Sequence, residues 1–422
     1  MSARLTRLSR WLGLVVCCLL LACTPPPAPK VVDKPNYQGE LLKLDAAIKH
    51  GTALAAQQQD DSLIPLEVVA LYQERARLTG DYEDYTKAEN LLASLSKGGS
   101  PPTQCLARAR LHFTLHRIKQ ASAALDGCSS NVEPSEIASA RADIAVYAGR
   151  YREAEAIYRG LVNQPGIAPN FVRLGLLKKW LGAPGEAAAL LEAAEKRYHG
   201  NAPTMLAWLK LQRGLLALER GRLDEALAMY RLASDALDGW WLIDEHIAEV
   251  LLLSGKTAEA KALYESIVAR TSNPEFMDAL AAIARAEGDT ETALKLRQKA
   301  RAVYEARLIA FPEAAAGHAL EHYLQHKADA NTALALAQKN YQTRPYGEAA
   351  LALAKAWMRD SKPARASALI EMHLGNGWDT AEAYWLLGVA LETQKFSQRA
   401  GAAKAAALQR NPASERMYGF VP

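Results

Sequence analysis

The residue set best equipped for chemistry in this 422-residue chain is His318-Ala319-Leu320-Glu321-His322. Two histidines four residues apart sit one helical turn apart on the same face. Imidazoles so placed can hold a divalent cation while the intervening Glu321 carboxylate activates a bound water. His326 continues the ladder by one more turn, and Asp278 is placed to face it from a neighbouring element. His112 and His116 also stand four apart, but His112 falls at a packing position, so that pair reads as structural. No glycine-rich phosphate loop, Gly-x-Ser-x-Gly elbow or CxxC pair occurs.

The pattern His318-x-x-Glu321-His322 resembles that of the inverted zinc peptidases. A five-residue motif arises readily by chance, however, and the extra domains that wall the substrate site of such enzymes are missing. The expectation is therefore no enzyme, no cofactor and no resident metal, with a zinc hydrolase or metal-binding protein kept as the weaker alternative.

The first residues read as an address. MSARLTRLSR carries three Arg and no acid, and the apolar run WLGLVVCCLLL after it has 11 residues. A helix of that length rises about 16 Å, short of a hydrocarbon core of about 30 Å, so the segment reads as a signal peptide over 1–22. Its end, Leu20-Leu21-Ala22-Cys23, resembles the bacterial lipobox, which implies cleavage before Cys23 and acylation of its thiol. Several acyl chains anchor a protein stably where one does not. Thr24 at the next position implies sorting to the outer membrane, with the folded part facing the periplasm. Residues 23–36, rich in Pro, form a stiff tether, and 37–65 form a helical cap or linker.

Composition narrows the fold class. Ala supplies 80 of the 422 residues and aromatics only 7%, so the apolar half of the chain consists mainly of good helix formers. The net charge of +4 loses Arg4, Arg7 and Arg10 with the signal, leaving 47 basic against 46 acidic residues. Nothing here supplies the concentrated basic patch that nucleic acid requires.

From Leu66 to Pro412 a turn followed by Ala-rich apolar periodicity recurs about every 34 residues. Gly149-Arg150-Tyr151-Arg152-Glu153-Ala154 with Tyr158 sets the frame. Gly221 with Ala226 and Tyr230 repeats it, as does Gly255 with Ala260 and Tyr264. With Leu174-Gly175 and Leu387-Gly388 in the preceding helices, the pattern resembles the tetratricopeptide repeat. That resemblance implies an all-α, right-handed superhelical solenoid. Turns at residues 80, 116, 149, 182, 221, 255, 288, 328, 361 and 395 give about ten hairpins, and 413–422 remain as a tail. The step from 182 to 221 contains Gly200-Asn201-Ala202-Pro203 and predicts a longer linker; the step from 288 to 328 lacks a breaker and predicts a second helix two turns longer.

The same frame places Cys105 and Cys128 opposite each other at the open end of one hairpin, which predicts a disulfide. In the family, positions 2, 5, 9, 12 and 13 of each first helix line a concave groove. Here they give Glu136, Asp143, Tyr147, Trp180, Trp208, Glu245, Glu249, Asp278, His318, His322, His326 and Trp385. An acidic groove flanked by aromatics suits an extended, basic peptide segment. The expected function is an outer-membrane-anchored scaffold that binds periplasmic or outer-membrane proteins during assembly of an envelope or secretion complex. The alternative is a polysaccharide-export accessory module that stacks glycan on Trp180, Trp208 and Trp385.

Overall fold

Alanine sets the spacing of this fold, because a methyl side chain lets two helix backbones approach closely without sacrificing helix propensity. In the computed structural model, which describes residues 34–58, 61–95, 104–128, 132–163, 167–325 and 329–419, 22 helices occur among the described residues. The leader and Cys23 lie outside them.

After α1 (Tyr37–Gln57) the helices pair in sequence order. The first five hairpins are α2 (Leu63–Thr79) with α3 (Glu83–Leu95), α4 (Gln104–Thr114) with α5 (Ile118–Asp126), α6 (Pro134–Tyr147) with α7 (Tyr151–Asn163), α8 (Ala168–Trp180) with α9 (Pro184–Arg197), and α10 (Pro203–Leu218) with α11 (Leu223–Ala236). The next five are α12 (Trp241–Leu253) with α13 (Thr257–Thr271), α14 (Pro274–Ala286) with α15 (Thr290–Ala310), α16 (Pro312–Leu324) with α17 (Ala330–Thr343), α18 (Gly347–Arg359) with α19 (Pro363–Gly375), and α20 (Ala381–Thr393) with α21 (Ser397–Arg410). A short helix, α22 (Ser414–Tyr418), closes the order. The two long steps have the expected causes: residues 198–202 separate α9 from α10, and α15 runs for 21 residues.

Nine of the ten hairpins reverse at a described residue in the left-handed region. Gly80, Gly149, Gly182, Gly221, Gly255 and Gly288 hold φ between 70° and 85°, where glycine alone avoids a Cβ penalty. His116, Ser361 and Lys395 occupy the same turn at φ of 60°, 55° and 64°. Behind the turns, Ala142 and Ala154 are fully buried in one apolar cluster and Ala248 and Ala260 in another. Gly214 takes the same slot in α10 because a Cβ there would enter the Tyr230 ring. Cys105 on α4 and Cys128 after α5 are bonded in the structure, with Cα atoms 5.4 Å apart.

The hairpins do not trail away as an open ramp. They wind far enough that the second half stacks on the first. The Trp241 indole donates to the Leu78 carbonyl at 2.9 Å, and Arg117 pairs with Glu313 at 3.6 Å. The Gly347 amide donates to the Tyr151 hydroxyl at 2.9 Å across 196 residues, and the Asp379 amide donates to the Trp180 carbonyl at 2.9 Å. The turn at Gly221 rests on Asn411 and Pro412. Turns of the first five hairpins therefore sit on the starts of first helices in the second half, on the loops before them, or on the C-terminal segment. Trp378, 1% exposed, seals this seam between Tyr151, Trp180 and Tyr346. At the other end, the Tyr37 amide of α1 donates to the Asp238 carbonyl at 2.8 Å.

Candidate functional site

The first helices turn their concave faces toward the space that the two coils enclose. Their first turns explain why that space is acidic. Glu136, Glu275, Glu313, Glu348 and Glu382 each sit at the N-terminus of a first helix, where an anion offsets the positive end of the helix dipole. Most are answered by cations from other repeats. Glu136 pairs with Arg110 at 3.4 Å, Glu313 with Arg117, and Glu382 with Lys355 at 2.9 Å. Glu275 pairs closely with His318. Burial pushes Glu275 up, but the His318 imidazole outweighs it and holds the carboxyl below its usual value; Glu275 in turn raises His318. Burial raises Glu348, whose carboxylate accepts from the Tyr346 hydroxyl at 2.8 Å.

The concentrated acid lies on α12. Glu245 and Glu249, one turn apart, flank the Nδ1 of His246 at 3.1 and 3.3 Å. Burial pushes Glu245 up to about 7 against the pull of His246, and the Glu249 and Glu275 carboxylates add to the rise. His246 lies against the Tyr230 ring at 5.5 Å. Lys179, whose charge acts on His246, is committed to Glu219 at 2.6 Å.

Several expected lining residues serve other ends. Asp143 accepts from the Tyr158 hydroxyl at 2.5 Å and from Arg173 at 3.0 Å, so it ties α6, α7 and α8 together. Tyr147 does reach the inner face, between Phe113 and Tyr346, with the Arg344 guanidinium 5.5 Å from its ring. Trp180 is stacked on Trp378 at 5.2 Å, and Trp208 is half-buried between two apolar clusters.

Three expectations need correction. Trp385 does not line the groove: it is 7% exposed, packed in the core, with the Lys404 ammonium 5.5 Å from its ring. Asp278 is 6% exposed and accepts from Nδ1 of His322 at 2.9 Å. These two share position 5 of the repeat with Ser139, Val172, Leu211 and Leu351, all buried. At these repeats position 5 is wedged into the interface between successive first helices, whereas Glu245, at the same position of α12, is half-buried.

His322 is the third, at 1% exposure beneath the Tyr304 ring. Its displacement has a register cause. Eight of the ten hairpins leave three residues between their helices, whereas 325–329 leave five between α16 and α17. Counting back from Ala333 of α17 therefore misplaces α16 by two residues. The small residue against the partner helix is Ala319, fully buried, and His322 falls on a core position. The motif accordingly comes apart: His318 faces Glu275, Glu321 lies 3.6 Å from Lys355, and His322 is enclosed with Asp278. The three share no coordination centre. His326 lies outside the described residues.

His246 escaped the sequence reading because it stands at position 6, off the groove register. The signal available was its place between two acids, Glu245-His246-x-x-Glu249. Glu348 and Glu382 went unread although both stand at position 2.

No family model matches the sequence, and no curated protein matches it. Several solved structures align with the chain. The chain is similar to the hetero-tetramer Cut9-Hcn1 of the APC/C, at 14% identity over 90% of this chain and 76% of that one, with a TM-score of 0.43. It is similar to PilF of Pseudomonas aeruginosa, at 15% identity over 48% of this chain and 92% of that one, TM-score 0.39. A tetratricopeptide repeat protein from Parabacteroides merdae aligns at 18% identity over 62% of this chain and 98% of that one, TM-score 0.35. Among the described residues, no helix is long and apolar enough to cross a membrane.

Proposed function

Taking the chain as a tetratricopeptide-repeat solenoid, we propose that it is a protein-binding scaffold that holds a basic, extended segment of a partner inside its two coils. The carrying observation is the distribution of acid on the inner face. Glutamates at successive first-helix N-termini give way to Glu245 and Glu249, for which the described residues supply only His246 as a direct partner. A segment bearing Lys or Arg would meet carboxylates at intervals of one repeat. Stacking of a glycan draws no such support, since the faces of Trp180 and Trp385 are already occupied.

The anchor belongs to the same proposal. The Leu20-Leu21-Ala22-Cys23 ending and the Pro-rich stretch after it support a lipoprotein held at the outer membrane and facing the periplasm. A scaffold so tethered suits assembly of an envelope or secretion complex. Crosslinking in intact cells, with pull-down from solubilised envelope, tests the partner. Glu249→Gln with Glu348→Gln removes capture of a basic partner while circular dichroism stays unchanged, and undiminished capture by the double variant refutes the groove reading. Metabolic labelling with a palmitate analogue tests the anchor, and loses its signal in Cys23→Ser.

A further inference from the structure

We infer that Glu245, His246 and Glu249 form a binding site for one divalent transition-metal cation, with zinc the preferred ion. The donor atoms of the three side chains all lie within 4.8 Å of one another. The Nδ1 of His246 stands 3.1 Å from an oxygen of Glu245 and 3.3 Å from one of Glu249. Donors at zinc distances of about 2.0–2.1 Å on a tetrahedron are separated by about 3.3–3.4 Å, so two edges of the cluster already approach coordination geometry. Three protein donors leave the fourth corner to water.

Charge and burial point the same way. Two carboxylates at i and i+4 repel each other on an isolated helix, and α12 carries this pair without a lysine or arginine between them. Lys179 is held by Glu219. A dication neutralises both carboxylates at once. The second observation is Tyr230. It is fully buried, its ring lies along His246, and its hydroxyl has no hydrogen-bond partner. The Tyr230 and His246 rings stand 5.5 Å apart and nearly parallel, which places the tyrosine beside the cluster. A buried donor with nothing to bind is costly, and an ordered ligand on a bound ion would satisfy it. One imidazole with two carboxylates favours zinc over manganese by the usual order of divalent affinities, and over magnesium by donor type.

The site shares Glu245 and Glu249 with the proposed groove, but its test is read on the isolated chain, so its failure is distinguishable from a failure of partner capture. Full-length protein without a histidine tag, stripped with chelator and dialysed, is titrated with Zn²⁺ against a chromophoric competitor, and Co²⁺ is used for visible spectra. One equivalent of Zn²⁺ binds, and Glu249→Gln and Glu245→Gln each weaken it at least tenfold while circular dichroism stays unchanged. Tyr230→Phe, which removes only the hydroxyl, weakens binding several-fold. His199→Gln, at an exposed linker histidine, leaves it intact. Absence of a stoichiometric equivalent in the wild type overturns the assignment. So does binding as tight as the wild type's in both Gln variants, or loss of binding in His318→Gln when Glu249→Gln retains it.

Discussion

Replacing Gly149 by Ala and, separately, Gly255 by Ala isolates the energy with which the two coils hold each other. Both glycines have left-handed backbone, φ 74° and 80°, so each substitution bears the same local penalty of about 1 kcal/mol. Only Gly149 lies in the seam. A Cβ there would stand 2.7 Å from the Pro345 carbonyl oxygen, whereas at Gly255 nothing lies within 4 Å. Relieving the clash requires the loop before α18 to retreat by about 0.7 Å to reach ordinary contact. That movement stretches the 2.9 Å hydrogen bond from the Gly347 amide to the Tyr151 hydroxyl, worth about 1 kcal/mol, and loosens Trp378, which is packed against Gly347. Overpacking of this kind adds about 1–3 kcal/mol. Gly149→Ala is therefore expected to destabilise by about 3 kcal/mol and Gly255→Ala by about 1 kcal/mol. Equilibrium urea unfolding measures the totals. Because repeat arrays unfold piecemeal, amide exchange supplies the local reading: protection at Tyr346–Gly347 falls in Gly149→Ala alone. Equal destabilisation by the two variants, or faster exchange confined to the third hairpin, refutes the seam.

Three further outcomes are expected. Lys395→Gly raises stability by about 0.5–1 kcal/mol in thermal melts, because it relieves a non-glycine residue at φ 64° in an otherwise ordinary turn. His116 is held well below its usual pKa, to about 3, by burial and by the neighbouring Arg344 and His318 charges, with a backbone contact to Glu313 acting against them. The unfolded chain takes up a proton on this histidine near 6.5 and the folded chain does not. Its contribution is thus present above about pH 6.5 and is lost as pH falls toward 3. His116→Asn, which tolerates the φ of 60°, shows a shallower fall of Tm over that window. Reduction of Cys105–Cys128, which closes a separation of 23 residues, lowers the stability of the second hairpin by about 3 kcal/mol. Peptide mapping without reductant that finds both thiols free in exported protein counts against the bond.

Much of the architecture is local and was therefore legible. Turn residues recur in register with small residues on either side, and both requirements act within one hairpin. Nine of the ten turn positions read from the sequence take left-handed backbone, and the tenth, 328, lies outside the described residues. The length of α15 follows equally from the absence of a breaker. The inner face was only partly legible. Position 5 looked like lining for Asp278 and Trp385 because position along a helix fixes direction, not what stands in that direction. His322 was misread because two extra residues between α16 and α17 shift a frame counted from the other side of the turn.

Sequence alone determined the unit of this protein: an alanine-lined hairpin, its left-handed turn and the number of copies, since each depends on contacts closed within about 34 residues. Tertiary structure decided what the copies enclose. The small rotation from one repeat to the next accumulates to bring residues 196 apart into hydrogen-bonding distance at Tyr151 and Gly347. It also lays the buried Tyr230 ring of α11 along His246, whose two glutamates α12 supplies by itself. No window of sequence contains that sum, because the angle responsible is set by packing between repeats and not by any residue within one.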